Sequence, residues 1–456
     1  VLLAALVLAG PASAFSKQPA TIQGGGGISL AATLYVPDGT PPAGGWPAIV
    51  LLHGIGGDRS SMNTLAESAG FAGEEYVVLT FDARGHGASG GLIGVDGPNE
   101  IADARAVHAW LRARPDVADA RIGAWGISYG GGAVLNSLAA GVPWTVVEVA
   151  EAWADLYAAF APQGLPKSRA IGGLLAGLSP SKVDPSLLPI STALLSGTNP
   201  AAVREWAAAR SSLPGLRGNR TPVFLMQGRR DFVFGLDQAK RLYAAFAGPK
   251  RLWIGNHGHA PSRFPAADTA RMIAEGKEWF DRYLRGAPNG VEARRPVTLA
   301  QEGRATTRSF AGLPPTTSRL ERALPGRTIP PDGSFLVRTP SLARAAEVFG
   351  APTVRVTATT RGGWTQLVAV LVARTSAGRQ IVVAAGGVPT RAGSRTYTLV
   401  LHDGATAVPK GSRFELLLGA SPTVPDPRIG VYLEAALPPS ARLTVSRVDL
   451  RVPLLR

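Results

Sequence analysis

The chain has 456 residues, 47 Lys plus Arg against 32 Asp plus Glu, and no cysteine. That length calls for two or three domains, and 45% hydrophobic against 17% charged residues excludes wholesale disorder. The missing thiols exclude disulfides, cysteine nucleophiles, zinc–thiolate sites and iron–sulfur clusters. The net charge of +15 invites a nucleic-acid reading, but 40 of the basic residues are Arg, seven are Lys, and they are dispersed along the chain with no run of five or six. Dispersed charge of this kind reads as compositional background, so no nucleic-acid partner is expected. Its remaining use would be to hold the protein near anionic surfaces.

Residues 1–8 form an unbroken apolar run, followed by Ala9-Gly10-Pro11-Ala12-Ser13-Ala14. A short apolar core ending in Ala-x-Ala reads as a secretory signal peptide, with cleavage after Ala14. The run is too short to cross a bilayer, and no other stretch offers about 18 apolar residues. The expectation is an exported protein, secreted or in the cell envelope, with no integral membrane segment in its mature form.

From residue 15 to 290 short apolar strands alternate with helices. Strands are expected at 28–35, 48–53, 77–81, 122–126, 144–149, 223–227 and 252–255. Helices are expected at 99–114, 130–140, 237–246 and 267–284; in the first, Ile101, Ala104, Val107, His108 and Leu111 share one stripe. This alternation implies a mostly parallel sheet covered on both faces. Residues 152–218, rich in Leu, Ala, Gly, Pro and Ser, interrupt the rhythm and read as an inserted helical cap. After the turn-rich Gly286-Ala287-Pro288-Asn289-Gly290 the pattern changes. Residues 291–456 carry β-branched runs at 354–359, 367–374, 380–385, 396–402, 414–418, 431–436 and 443–452, read as an all-β sandwich or jelly roll.

The strongest chemical signal is Gly126-Ile127-Ser128-Tyr129-Gly130, at the end of a strand and the start of a small-residue helix. Such a strand–turn–helix projects a serine hydroxyl above the sheet and aims the helix N-terminus at any oxyanion formed there. Ser128 is therefore the expected nucleophile. An oxyanion hole needs two donors, and the N–H groups of Tyr129 and of Ile55, in His53-Gly54-Ile55-Gly56-Gly57, are the candidates. His53 is read as a brace for that loop.

A serine hydroxyl needs a base, and the base needs an acid to hold its tautomer. Asp231 follows the 223–227 strand, with Asp237 as fallback at a helix start. His257 and His259 follow the last strand, and Gly258-His259 followed by a small residue favours His259. A metal-dependent alternative would need a His/Asp/Glu cluster, for which His-Gly-His alone is weak, and no cofactor or metal is expected. Glu148, Glu151 and Asp155, at the end of the 144–149 strand and entering the cap, are candidates for binding a substrate's free amino terminus.

His53-Gly54-Ile55-Gly56-Gly57, Asp82-Ala83-Arg84-Gly85-His86-Gly87, Ala102-Asp103-Ala104-Arg105 and Gly126-Ile127-Ser128-Tyr129-Gly130-Gly131 resemble α/β hydrolases. More narrowly they resemble the X-prolyl dipeptidyl aminopeptidase-like group that includes the cocaine esterase type. Pro409-Lys410-Gly411-Ser412-Arg413 resembles that group's C-terminal domain. The resemblance implies an α/β-hydrolase core with a helical cap and a C-terminal jelly roll. It also implies a Ser-His-Asp acyl-enzyme mechanism on a small ester or peptide substrate. Cocaine esterase-type members carry Arg-x-Pro-Tyr where this chain has His-Gly-Ile-Gly-Gly, so a backbone donor is expected in place of a tyrosine hydroxyl. An esterase is expected slightly ahead of an X-Pro dipeptidyl-peptidase. A third reading makes the β domain a carbohydrate-binding module with Trp364 as a stacking platform; its expected role is instead to pack on the core, shaping the pocket or a homo-oligomer contact.

Overall fold

The structure, a computed structural model, describes residues 14–73, 75–259, 262, 266–421 and 436–456. The expected signal peptide, apart from Ala14, and most of the expected 431–436 strand lie outside the described residues. Ten strands form the first sheet: β1 (Phe15–Gln23), β2 (Ser29–Pro37), β3 (Trp46–Leu52), β4 (Val77–Phe81), β5 (Val117–Ile127), β6 (Val147–Ala150), β7 (Val223–Gly228), β8 (Lys250–Gly255), β9 (Val297–Ala300) and β10 (Thr307–Phe310). Their order is β1-β2-β4-β3-β5-β6-β7-β8-β9-β10. The run from β4 to β9 is parallel, and β1, β2 and β10 pair antiparallel at the two ends.

The middle strands read as continuous apolar runs because both faces are covered. Ala48, Val50, Ala124, Val147 and Leu225 pack on one side with the helices Pro98–Arg112 and Tyr129–Ala139. Ile49, Leu51, Trp125, Phe224 and Trp253 pack on the other with the helix Ala266–Arg285. The loops that carry the site residues described below leave the C-terminal ends of β3, β5, β6, β7 and β8, where a parallel sheet gathers its functional groups.

Between β6 and β7 lie five short helices, Leu156–Phe160, Ser168–Ala176, Leu187–Ser196, Pro200–Ala208 and Leu213–Leu216. They close over the same end of the sheet. Arg210 ties them down: its buried guanidinium donates to Gly94 O at 2.7 Å and stacks over Trp206 at 3.6 Å. Lys167 reaches from the cap to the carbonyls of Phe232 and Val233 at 3.2 and 2.8 Å.

Beyond β10 the chain builds two antiparallel sheets. One is ordered Gly393–Val400, Thr353–Arg361, Arg442–Leu455, Ala346–Gly350, Gly404–Val408, with Thr316–Ala323 and Arg327–Ile329 also on the long Arg442–Leu455 strand. The other is ordered Ser334–Arg338, Arg413–Gly419, Gln366–Arg374, Gln380–Pro389. Alternate residues such as Val354, Val356, Leu367, Leu371, Leu416 and Leu450 fill the core between them, as in a sandwich.

Two readings are corrected here. Residues 297–310, assigned from sequence to the β domain, pair with β8 and extend the first sheet. The β-branched character of Val297-Thr298-Leu299 fits either sheet, so composition alone could not separate them. Trp364 is buried, with its indole N–H on Gln366 O at 2.6 Å, and offers no face to a sugar. Among the described residues no helix is long and apolar enough to cross a membrane.

The turn after β5 depends on close backbone contact. A methyl group at Gly126 would strike the Gly130 carbonyl, and one at Gly130 would strike the Leu52 carbonyl. Main chain cannot step aside as a side-chain tip can, so Gly130→Ala should cost about 1–3 kcal/mol by overpacking. A thermal melt checks this; an unchanged midpoint would contradict the contact.

Candidate active site

Ser128 closes β5 and caps the helix Tyr129–Ala139 with φ 54 and ψ −114. A non-glycine residue rarely adopts this conformation, and it persists only where surroundings impose it. Here Ser128 N donates to Ala150 O at 2.8 Å, and Gly132 N donates to Ser128 O at 2.9 Å. The hydroxyl is thereby thrust off the sheet beside a helix N-terminus with unpaired N–H groups.

Ser128 Oγ lies 2.8 Å from His259 Nε2, and His259 Nδ1 lies 2.7 Å from Asp231 Oδ2. The structure thus brings Ser128, His259 and Asp231 into one hydrogen-bonded line. The loops after β7 and β8 meet through Gly258, whose φ of 146 admits no ordinary side chain and whose Cβ position is 3.1 Å from Asp231 Cβ. The other Asp231 oxygen accepts from Val233 N at 2.9 Å and Phe234 N at 3.1 Å. Asp237 bonds Gln238 Nε2 at 2.7 Å instead of either histidine.

Burial by itself would lower the His259 pKa. The Asp231 charge and hydrogen bond, with a smaller push from Glu151, override it and raise it to about 9. Burial would raise Asp231, but the facing imidazole and the loop N–H groups hold it below its ordinary value. Asp231 therefore stays ionised, and a neutral His259 exists only on the alkaline side of the pair's titration.

Gly54 sits against the nucleophile, its Cβ position 3.7 Å from Ser128 Cβ. The loop that carries Ile55 is braced by His53. Its Nε2 accepts from Ala83 N at 3.0 Å, so Nδ1 carries the proton and donates to Gly54 O at 2.8 Å. Burial lowers the His53 pKa, which fits a neutral brace. Ile55 and Tyr129 both line the cavity that opens above Ser128.

The space above Ser128 amounts to about 860 Å³ when its mouth, open to solvent, is included. Its walls are Leu174, Leu175, Ile190 and Leu194 from the cap, with Trp153, Trp206 and Phe234 closing the sides. Among the described residues, the lining adds only Tyr157, Ser191 and the indoles of Trp153 and Trp206 to the polar groups of Ser128, Tyr129 and His259, and includes no Asp, Glu, Lys or Arg.

The three carboxylates expected to bind an amino terminus lie elsewhere. Glu148 points to the opposite face of the sheet, against Gly276, where burial pushes its pKa well up. Glu151 is buried behind the histidine loop with His257 Nδ1 on its Oε1 at 2.5 Å. Asp155 caps the helix Leu156–Phe160 by accepting from Ala158 N. The alternation of residues along β6 sends Glu148 to the far face, a direction not visible without knowing which face the cap covers. The cap aromatics that shape the pocket escaped the sequence reading; the only signal was their clustering in an otherwise Leu/Ala-rich insertion.

A family model described as X-Pro dipeptidyl-peptidase (S15 family) matches residues 26–261. A CocE/NonD family hydrolase from Staphylococcus aureus is similar over 97% of this chain and 94% of that one, with TM-score 0.76 and 13% identity. An alpha-amino acid ester hydrolase is similar over 98% of each chain, with TM-score 0.69 and 15% identity. Both likenesses show the fold. The quorum-quenching protein AidA of Acinetobacter baumannii is 37% identical over 95 residues, 20% of this chain and 31% of that protein. The chain spans about a third of the length of the curated relatives it matches.

The His259 ring should titrate well above the ordinary histidine value of about 6.5, and Asp231→Asn should bring it down, since the neutral amide no longer favours the imidazolium. Ring-proton shifts followed by NMR across pH 5 to 10 (about that range suffices) test this. A midpoint indifferent to the substitution would remove Asp231 as the cause.

Proposed function

The chain belongs to the X-Pro dipeptidyl-peptidase (S15) family and is a serine hydrolase, and from that premise we propose that it is a carboxylic-ester hydrolase taking substrates with an apolar acyl group. The observation that carries this reading is the cavity over Ser128, walled by leucine, isoleucine and aromatic side chains and, among the described residues, without an Asp, Glu, Lys or Arg. An aminodipeptidase must hold a free ammonium beside the scissile bond. A buried cation needs a paired anion, and none of Glu148, Glu151 or Asp155 lines the cavity. An acyl chain needs only apolar surface of matching size.

In this reading Ser128 Oγ attacks the ester carbonyl as His259 Nε2 takes its proton. The developing oxyanion is held by the N–H groups of Tyr129 and Ile55. His259 then returns the proton to the departing alkoxide, and water repeats the sequence on the acyl-enzyme. Asp231 remains a carboxylate throughout, orienting the ring and stabilising its charge.

Ser128→Ala should lower kcat by about a million-fold and abolish labelling by a serine-directed phosphonate. Across p-nitrophenyl acetate, butyrate and hexanoate, kcat/KM should climb by about fourfold per methylene, the equivalent of about 0.8 kcal/mol per buried CH2. Ala-Pro-p-nitroanilide should be a poor substrate. Faster turnover of that anilide than of the butyrate ester would overturn the ester reading in favour of dipeptide release.

A further inference from the structure

Two buried carboxylates, not one, face the Nδ1 edge of His259. Asp231 Oδ2 stands 2.7 Å from Nδ1 and Glu151 Oε2 stands 3.8 Å from the same atom. Asp231 is 1% exposed and Glu151 2%. Asp231 lies just past β7 and Glu151 immediately follows β6; the two strands are parallel neighbours in register from Val147 and Val223. Adjacent strand ends thus deliver two acids to one ring edge.

The placement of Glu151 is constrained on both sides. Its backbone holds φ 53, a left-handed value that a glutamate adopts only under compulsion. Glu151 N donates to Met226 O at 2.8 Å, fixing that turn to the end of β7. Its Oε1 is engaged by His257 Nδ1 at 2.5 Å, which leaves Oε2 turned toward His259. A carboxylate this buried is costly unless it is hydrogen-bonded and has a charge to complement, and His259 supplies one whenever its ring is protonated.

We propose that Glu151, oriented by His257, is a second acid of the relay: a positioning residue that stabilises the His259 imidazolium alongside Asp231 and partly substitutes for it. The proposal rests on the Ser128–His259–Asp231 reading. During acylation the Oγ–C bond forms, the hydroxyl proton moves to Nε2, and the Nδ1 proton stays in place. Positive charge then resides on a ring bracketed by two anions, and neither carboxylate takes a proton. When the intermediate collapses, Nε2 returns its proton to the leaving oxygen and the ring is neutral again. Among the described residues the Lys167 ammonium also acts on His259 and opposes its protonation, while His402 acts on Asp231.

The test is a set of pH–kcat/KM profiles on p-nitrophenyl butyrate with the full chain. In Glu151→Gln the acid limb should move down by about one unit, because one of two anions favouring the imidazolium is gone. Asp231→Asn should lose only about 100- to 1,000-fold, short of the roughly 10,000-fold typical where a triad has a single acid. Adding Glu151→Gln to Asp231→Asn should remove at least a further tenfold. A purely structural glutamate would lower the amount of active enzyme without moving the limb. Should Glu151→Gln fail to fold, Glu151→Asp draws the charge back from the ring and should move the limb the same way by less. Limbs coincident with the parent's, or an Asp231→Asn variant no more active than the double variant, would overturn the proposal. An inert Ser128→Ala with either of those results would leave the triad reading standing and remove only the second acid; an active Ser128→Ala would remove both.

Discussion

Ser128 can stand in its left-handed turn only because three stretches of main chain touch there without side chains between them. Gly126 meets the Gly130 carbonyl, Gly130 meets the Leu52 carbonyl, and Gly131 meets the Ala150 carbonyl. These contacts set the separation of β5 from β3 and β6, and they seat the helix Tyr129–Ala139 with its N-terminus under the hydroxyl. A conformation of this kind is worth of order 1–3 kcal/mol of strain. The buried ends of β3 and β6, at Leu52 and Ala150, hold it. The rest of the site is arranged around where that turn puts one oxygen atom.

The acid side of the relay is held from three directions. From the first sheet, Arg229 N donates to Gly255 O. From the β-sandwich, Ala405 N donates to Arg229 O, Arg229 pairs with Glu347 at 2.5 Å, and His402 stacks on Phe232 at 4.8 Å. From the cap, the buried Lys167 ammonium donates to the carbonyls of Phe232 and Val233, and burial brings its pKa down to about 8. Each attachment removes freedom from a loop whose Asp231 must keep its distance to within a fraction of an ångström. The β-sandwich therefore contributes to the chemistry by stiffening, and none of its described residues enters the pocket itself.

Much of this was legible in the residues. Parallel strands covered on both faces write themselves as unbroken apolar runs, so β4, β7 and β8 fall where the hydropathy places them. The serine turn was legible because its glycines are dictated by backbone contact. The Gly258-His259-Ala260 form of the loop pointed to His259, and the structure gives Gly258 its reason, the close approach of Asp231. What was not legible depends on direction in space. Glu148 and Glu151 lie three residues apart on one short segment, yet one faces Gly276 and the other His257, and only the completed sheet shows it. The outlying strands β1, β9 and β10 were equally opaque. Phe15–Gln23 alternates weakly, and Val297–Ala300 is four residues long, too short to carry a period.

The β9–β10 hairpin has a bearing on how the whole chain comes apart. The sheet that holds the serine turn ends not at β8 but in a strand pair belonging to the passage toward the sandwich. Arg229 also donates to the carbonyl of Ala300 in β9, Arg230 pairs with Glu302 just beyond it at 2.8 Å, and Lys240 pairs with Asp403 at 2.7 Å. A cut at residue 290 would leave β8 as a raw edge with open main-chain donors and acceptors, a template for aggregation. Sandwich and hydrolase layer therefore form a single cooperative unit, in which loosening one half loosens the acid loop of the other.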